Sequence, residues 1–446
     1  MQKPNRHMAI FIRSATERMV CFTAAMIVMY AQAAAADPAF QLIEDETRHW
    51  YRGNMHTHSY WSDGDEFPEV IASWYRDHGY QFLVFTDHNV LHRGERWVNL
   101  SKYPKGAESL EKLKTLFGDD WIVTRKNEDK TEVRLRTFDE VFNRIAQPQK
   151  FLLIQGEEVT DRFKKLPLHF CASNLPELLI PMGGDSVSEV IQRNVTAAVS
   201  LRERTGSKLL IHLNHPNFGF AVTAEQLMGI DGEQFFEVYN GHPAVYNSGD
   251  EKHASTERMW DIINTWRLTE LELPRMFGLA TDDSHNYSSD EKPSDSRSGR
   301  GWVVVLAESL TPENLIDALE AGQFYSSSGV RLREVSFRDN TLKVTVEPQE
   351  GETYRIDFIG TRKGFNPESR PASDDPVAAE QLTRIYSADV GSVLQSVSGT
   401  EAVYHCTGNE LYVRAVVTAS RKHENPSEPG EFIRAWVQPV VPQPSP

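Results

Sequence analysis

Cysteine is nearly absent from this chain, with three in 446 residues. Cys21 falls in an apolar N-terminal run, and Cys171 and Cys406 fall in what read as different domains, so a disulfide framework is excluded. Positive charge is also in deficit: 47 Lys and Arg stand against 63 Asp and Glu, a formal net charge of −16. That balance argues against nucleic acid or an anionic lipid surface as a stable partner, because both want a basic face. No Walker loop, dinucleotide fingerprint or Gly-x-Ser-x-Gly elbow occurs. The chain is nonetheless 40% hydrophobic, enough for sizeable cores, and its length predicts more than one domain.

The N-terminus carries Lys3, Arg6, Arg13 and Arg18, then the apolar run 19–30, then Ala31-Gln32-Ala33-Ala34-Ala35-Ala36 before Asp37-Pro38. The apolar run is too short to span a bilayer comfortably, so residues 1–36 read as a secretory signal cleaved after Ala33 or Ala36. The competing reading is an uncleaved anchor; Cys21 lacks the small-residue context of a lipoprotein cysteine. Export to a bacterial periplasm or beyond is the expectation, with no stable membrane insertion after cleavage.

The richest stretch is His56-Thr57-His58 followed by Asp63, two imidazoles and a carboxylate suited to a divalent metal. Similar residues close other apolar runs: His88 in Thr86-Asp87-His88, Glu158 in Gly156-Glu157-Glu158, His169 before Phe170-Cys171, His215 in His215-Pro216, and Asp283 with His285. Ligand-type residues at the ends of strands are what a barrel of alternating strands and helices converges at its mouth. Each histidine by itself has a plain structural reading; together they make a site.

These motifs resemble the polymerase and histidinol phosphatase (PHP) superfamily of metal-dependent hydrolases, whose order is His-x-His, Thr-Asp-His, Gly-x-Glu, His-Pro and Asp-x-His. The wording of Ala280-Thr281-Asp282-Asp283-Ser284-His285-Asn286 and Arg300-Gly301-Trp302-Val303-Val304-Val305 is similar to the branch that includes carbaryl hydrolases. The resemblance covers roughly residues 50–329. It implies a distorted TIM-like (β/α)7 barrel and two or three divalent ions of zinc, manganese or iron. A first ion would lie at His56, His58, Glu158 and Asp283, a second at Glu158, His169 and His215, a third at Asp63, His88 and His285. The family spacing selects Glu158 and Asp283 over their neighbours Glu157 and Asp282, and Asp87 and Glu237 become partners that orient imidazoles.

Along the chain, residues 37–329 alternate strand-like and helix-like patterns. Helices are expected from Pro68 to Gly79, from the capping box at Ser186-Val187-Ser188-Glu189 to Gly206, and from Thr311-Pro312 to Gly322. His78 reads as a helix-face residue. The charged insertion between His88 and Phe151 has a helical pattern over 110–117, and the polar run 286–301 reads as a flap or a plain solvated connection. From about Val330 to residue 438, short alternating runs predict a β-sandwich without a ligand cluster, His405 and His423 included, and residues 439–446 are a Pro-rich tail.

A water bridging two divalent ions loses its proton near neutral pH and attacks an electrophilic centre, with Glu158, His215 and Asp283 acting through that hydroxide. Ser59, Ser62 and Ser284 read as loop hydrogen-bonders, and Cys171 as a buried thiol, the alternative being a thiolate ligand or nucleophile. The substrate is a small ester: a phosphomonoester or phosphodiester, with Arg93, Arg125, Lys164, Lys165 or Arg300 at the mouth. The alternative is a carbamate or carboxylic ester, with Trp61, Phe218, Phe220 and Tyr287 lining an apolar pocket. A third reading is a secreted binding protein with structural metal.

Overall fold

The computed structural model describes residues 37–287, 292 and 294–443. The expected signal 1–36 with Cys21 lies outside the described residues, as do part of the polar run 286–301 and the end of the tail.

The fold is mixed α/β and is built on one large sheet. Its motif-bearing strands are β1 (His49–Asn54), β2 (Phe82–Phe85), β3 (Leu152–Phe163), β4 (Leu166–Ser173), β5 (Leu210–Leu213), β6 (Phe235–Asn240), β7 (Phe277–Thr281) and β8 (Trp302–Ala307). They lie in the order β7-β6-β5-β4-β3-β2-β1-β8. β1, β2 and β3 run parallel, as do β5, β6 and β7. β4 is antiparallel to both its neighbours and β8 to β1. Every residue of β2, β5 and β7 is buried, which is why these strands read as unbroken apolar runs.

The sheet curls until β7 comes beside β8 and the next strand, β9 (Phe324–Ser327). Side chains make that junction. Ser326 Oγ donates to the Gly278 carbonyl at 2.7 Å, and the Gln438 amide bonds both the N–H and the carbonyl of Gly278 at 2.9 Å. A Cβ at Gly278 would press on Val238 and Trp260, so glycine is what lets β7 lie close against these two side chains.

Beyond β8 the chain adds the C-terminal strands β10 (Leu332–Arg338), β11 (Thr341–Val346), β12 (Tyr354–Arg362), β13 (Ser392–Ser398), β14 (Glu401–His405), β15 (Glu410–Lys422) and β16 (Phe432–Val440), four of which extend the same sheet. Its order there is β9-β16-β15-β12-β13, and β10, β11 and β14 form a second sheet with the short strand Phe40–Leu42. Leu342, Val344, Ile356, Phe358, Val413 and Ala415 meet between the layers in one apolar core. The sandwich is therefore continuous with the motif sheet, and its second layer is completed from the opposite end of the sequence.

Local chemistry sets the helices. α1 (Pro68–Asp77) starts with Pro68 in its first turn and gives way to Gly79 at φ +77°. α2 (Gly106–Phe117) lies in the insertion, which packs on Tyr60, Trp61 and Phe67 and so covers the loop after His58. Ser186 caps α3 (Val187–Thr205) by accepting from Glu189 N, while the Glu189 carboxylate turns to Asp185 N, so the box expected there is half formed. α4 (Thr256–Arg267) docks on the C-terminal strands through a buried ion pair: Arg414 donates twice to Asp261, at 2.8 and 2.7 Å, and Tyr412 adds a bond at 2.8 Å. No helix among the described residues is long and apolar enough to cross a membrane.

Two outcomes follow. Arg414 and Asp261 are 1% and 5% exposed, so Asp261→Ala leaves the buried guanidinium with only the Glu257 carboxylate, 3.5 Å away, and is expected to lower unfolding free energy by about 3 kcal/mol in denaturant titration. Burial pushes the Glu69 carboxyl up to about 7 and Glu233 up to about 8, from an ordinary 4.5. Both acids then hold a proton in the folded chain that the unfolded chain releases, so their contribution to stability is complete below pH 4.5 and is lost as pH rises through 7 to 8. Glu233→Gln is expected to stabilise the fold above pH 8 and leave it unchanged near pH 4.5; equal effects at both values would refute the assignment.

Candidate metal centre

Two loops build the floor. At the end of β1, Asn54 Nδ2 donates to the His56 carbonyl, Thr57 Oγ1 and Tyr75 OH, while its Oδ1 accepts from Asp282 N. His58 N bonds Ser284 O at 3.0 Å and Asp283 N bonds His56 O at 3.1 Å. The loops after β1 and β7 thus run side by side and set His56 and His58 against Asp283. Asp283 takes φ +49°, a left-handed backbone that Asp tolerates better than most residues.

The wall comes from the β3–β4 hairpin, where the expectation of ligands at strand ends needs correcting. β3 does not stop after Ile154; it runs through Glu158 to Phe163, and His169 lies within β4. The register pairs Glu158 with Cys171 and Thr160 with His169, so the pleat puts all four on one face. Glu157, one residue away, points to the other face and accepts from Leu179 N at 2.6 Å; burial pushes it up to about 8. Asp282 is likewise turned from the cluster, accepting from Tyr75 OH and from the N–H groups of Gly299, Arg300 and Gly301. Geometry therefore separates Glu158 from Glu157 and Asp283 from Asp282.

All nine expected ligands converge. Their donor atoms fall into four overlapping groups: His58, Asp63, His88 and His285; His56, His58 and Glu158; His56, His215 and Asp283; and His88, Glu158 and His169. Relative to the sets implied by the resemblance, His58 joins the Asp63 group and His215 sits with His56 and Asp283. Glu158 is central and 1% exposed. Its Oε1 lies 3.0 Å from His169 Nδ1 and 3.4 Å from both His56 Nε2 and His215 Nε2, and its Oε2 lies 2.9 Å from His88 Nδ1 and 3.2 Å from His58 Nε2. Asp63, His88 and His285 are 55%, 24% and 18% exposed, so the cluster opens to solvent on their side.

The donor set fits divalent cations. Glu158 Oε2 and His169 Nδ1 are buried and form no hydrogen bond despite these close neighbours, and His56 Nε2 and His58 Nε2 stand 3.1 Å apart. Lone pairs aimed at shared points rather than at each other's protons are what a coordination site requires, and mixed imidazole and carboxylate suits zinc, manganese or iron over calcium. Burial would push the Glu158 and Asp283 carboxyls up, but the surrounding histidines outweigh it and hold both well below the usual carboxylate range.

A second ring of side chains fixes the first. Glu237 Oε1 bonds His56 Nδ1 at 2.8 Å, leaving Nε2 toward the cluster, and the same carboxylate accepts from His215 N, Thr281 Oγ1 and Asn240 Nδ2. Asp87 bonds no ligand imidazole; it accepts from Ser59, Ser62 and His92 and so braces the loop after His58. Ser284 bonds Tyr75 and Tyr287. Cys171 is buried, accepts from Asn214 Nδ2 at 3.2 Å, and is pushed up to about 12 by burial.

Sequence reasoning passed over three neighbours. Asn214 Nδ2 donates to Glu158 Oε1 at 2.7 Å, Asn240 Nδ2 donates to Asp283 Oδ2 at 3.1 Å, and the His242 ring lies 5.5 Å from that of His285. Asn240 closes the apolar strand β6 and His242 follows it, the kind of placement that marked His88 and His215, and that was the available signal. Arg300 is buried and spends its donors on Gly241 O and Asn425, Arg93 bonds Gln155 and Pro176, and Arg125 bonds Glu132. Lys164 and the exposed Lys165 form the hairpin turn beyond Phe163, with Lys164 Nζ over that ring. Trp61 is buried against His92 and Phe220 stacks on His253, whereas Phe218 lies 5.1 Å from the His215 ring and Tyr287 OH bonds His58 O.

No protein-family model matches the chain, and no curated protein matches it significantly. Solved structures similar to it include a two-domain protein from Bacteroides vulgatus described as containing a predicted PHP-like metal-dependent phosphoesterase. It is 15% identical, with 91% of this chain and 100% of that one covered and a TM-score of 0.38. Another, from Bifidobacterium adolescentis, is described as a candidate metal-dependent phosphoesterase; it is 14% identical, with 60% of this chain and 96% of that one covered and a TM-score of 0.27.

Glu237→Gln keeps the shape but weakens the hold on His56, and is expected to cost about 10–100-fold in metal affinity, read by competition with a chromogenic chelator. Cys171→Ser in the same assay is expected to bind as the parent does.

Proposed function

We propose that the protein is an exported, metal-dependent ester hydrolase of PHP type, in which a distorted (β/α)7-like barrel over residues 37–329 carries the site and residues 330–438 form the sandwich. The observation that carries this reading is Glu158, a buried carboxylate whose two oxygens face different histidines without hydrogen-bonding them. That is the place for a group shared between two cations. When bound, divalent ions supply Lewis acidity, making water a competent nucleophile near neutral pH and polarising the ester they face.

The chain's own residues support water as the nucleophile. Ser59 and Ser62 are committed to Asp87, and Ser284 to Tyr75 and Tyr287. The Cys171 thiol, pushed up to about 12, is protonated at neutral pH. Glu237 sets the His56 tautomer, Asn214 orients Glu158, and Asn240 orients Asp283. The exposed edge at Asp63, His88 and His285 is where substrate enters.

A phosphoester is the substrate class we favour. Among the described residues the ion pairs of Asp63, Glu158 and Asp283 are all with histidines, so the cluster itself brings no lysine or arginine to a phosphate. A singly charged diester suits such a site better than a monoester. The same observation, with Phe218 beside His215, favours a carbamate or carboxylic ester of the carbaryl type as the second reading.

The test is metal analysis of the purified protein with parallel turnover of bis-nitrophenyl phosphate, nitrophenyl phosphate and naphthyl methylcarbamate, with and without chelator. Two or more ions and chelator-sensitive turnover, fastest on the diester, are expected. A faster carbamate moves the assignment to the second reading, and bound metal without turnover on any ester leaves a binding protein. Glu158→Ala is expected to lower the rate by orders of magnitude with the fold intact; full activity in that variant overturns the site.

A further inference from the structure

A cleft of about 1100 Å³ lies away from the metal centre, where the motif sheet meets the sandwich, and none of the nine cluster residues lines it. That exceeds the roughly 300–1,000 Å³ typical of small-molecule sites, which points to an extended ligand. Three of the nine tryptophans, Trp50, Trp74 and Trp302, line it. Trp50 and Trp74 are only partly buried, and His78 stacks on the Trp74 ring at 3.9 Å. The imidazole covers one face of Trp74, and the part of each indole left exposed accepts the apolar C–H face of a sugar ring as it accepts another aromatic.

Arg52 decides the charge of the ligand. Its guanidinium lies 3.9 Å from the Tyr80 ring centre and 3.8 Å from that of Trp302, a sandwich that fixes the planar fork. Its Nε is buried without a hydrogen bond, and no carboxylate among the described residues pairs with it. With Nε closed off between the rings, a bidentate oxyanion would meet the guanidinium at its Nη edge. Arg333, Arg331 and Arg421 line the same cleft, the last two paired with Glu347 and with Glu352 and Glu424. Glu44, Glu347 and Glu424 also line the cleft, so on a chain of net charge −16 attraction for an anion has to come from Arg52 and Arg333, the two arginines there without an ion pair among the described residues.

We propose that this cleft binds an acidic oligosaccharide, with sugar rings against Trp50 and Trp74 and a carboxylate on the Arg52 fork. The proposal stands whether or not the metal centre hydrolyses esters. The test is tryptophan-fluorescence titration of the full chain with tetragalacturonate, with neutral maltotetraose and inorganic phosphate in parallel. Saturable binding of the acidic tetramer is expected, weakened at least tenfold by Arg52→Lys, which keeps the charge but not the fork, and weakened also by Arg333→Gln at the exposed rim. No saturable change with tetragalacturonate, equal binding of maltotetraose, phosphate binding as tight as the tetramer's, or unchanged affinity in both variants would each overturn it.

Discussion

One constraint organises the molecule: a carboxylate, Glu158, is buried among imidazoles at the centre of a curled sheet. An ionised carboxylate out of water is tolerated only when opposite charge and donors surround it. The parallel loops after β1 and β7 bring His56, His58 and Asp283 to one side of it, and the β3–β4 hairpin brings His169 to the other. Glu237 and Asn214, themselves buried, then hold those groups in orientation. Much of the buried polar chemistry of the motif sheet exists to make that one carboxylate affordable.

The motifs were legible because coordination chemistry accepts few residue types: His56-Thr57-His58, His88, Glu158, His215 and Asp283 could be picked out by identity and position after apolar runs, and the structure brings them together. Their supports were not legible in the same way. Asn214 and Asn240 act through amide hydrogen bonds that any asparagine can make, and only the folded geometry aims them at Glu158 and Asp283. Asp87 looked like a partner for an imidazole ligand and instead gathers Ser59, Ser62 and His92, because sequence adjacency to His88 says nothing of which way a side chain points.

At the level of the fold, helix stops at Gly79, Gly206 and Gly322 could be read directly, since all three take positive φ. The long reach of β3 could not: Gly156-Glu157-Glu158 resembles a strand end, and only pairing with β4 carries the extended backbone on to Phe163. The same holds for Phe40–Leu42, whose partner β10 lies about two thirds of the chain away, and for β13, an edge strand without a fully buried residue. Non-local pairing leaves no periodic trace in the sequence it joins.

Asp283 shows how the two halves of the structure bear on each other. A non-glycine residue at φ +49° carries backbone strain of about 1 kcal/mol or more, and something must offset it. The preceding residue supplies the offset: Asp282 accepts four hydrogen bonds, from Tyr75 on α1 and from the backbone of Gly299, Arg300 and Gly301. Arg300 is in turn anchored to Asn425 in the loop joining β15 to β16. The conformation of a carboxylate in the histidine cluster therefore rests on contacts that end in the C-terminal layer. A sandwich continuous with the motif sheet is part of what gives Asp283 its direction, and the two layers cannot be separated without loosening it.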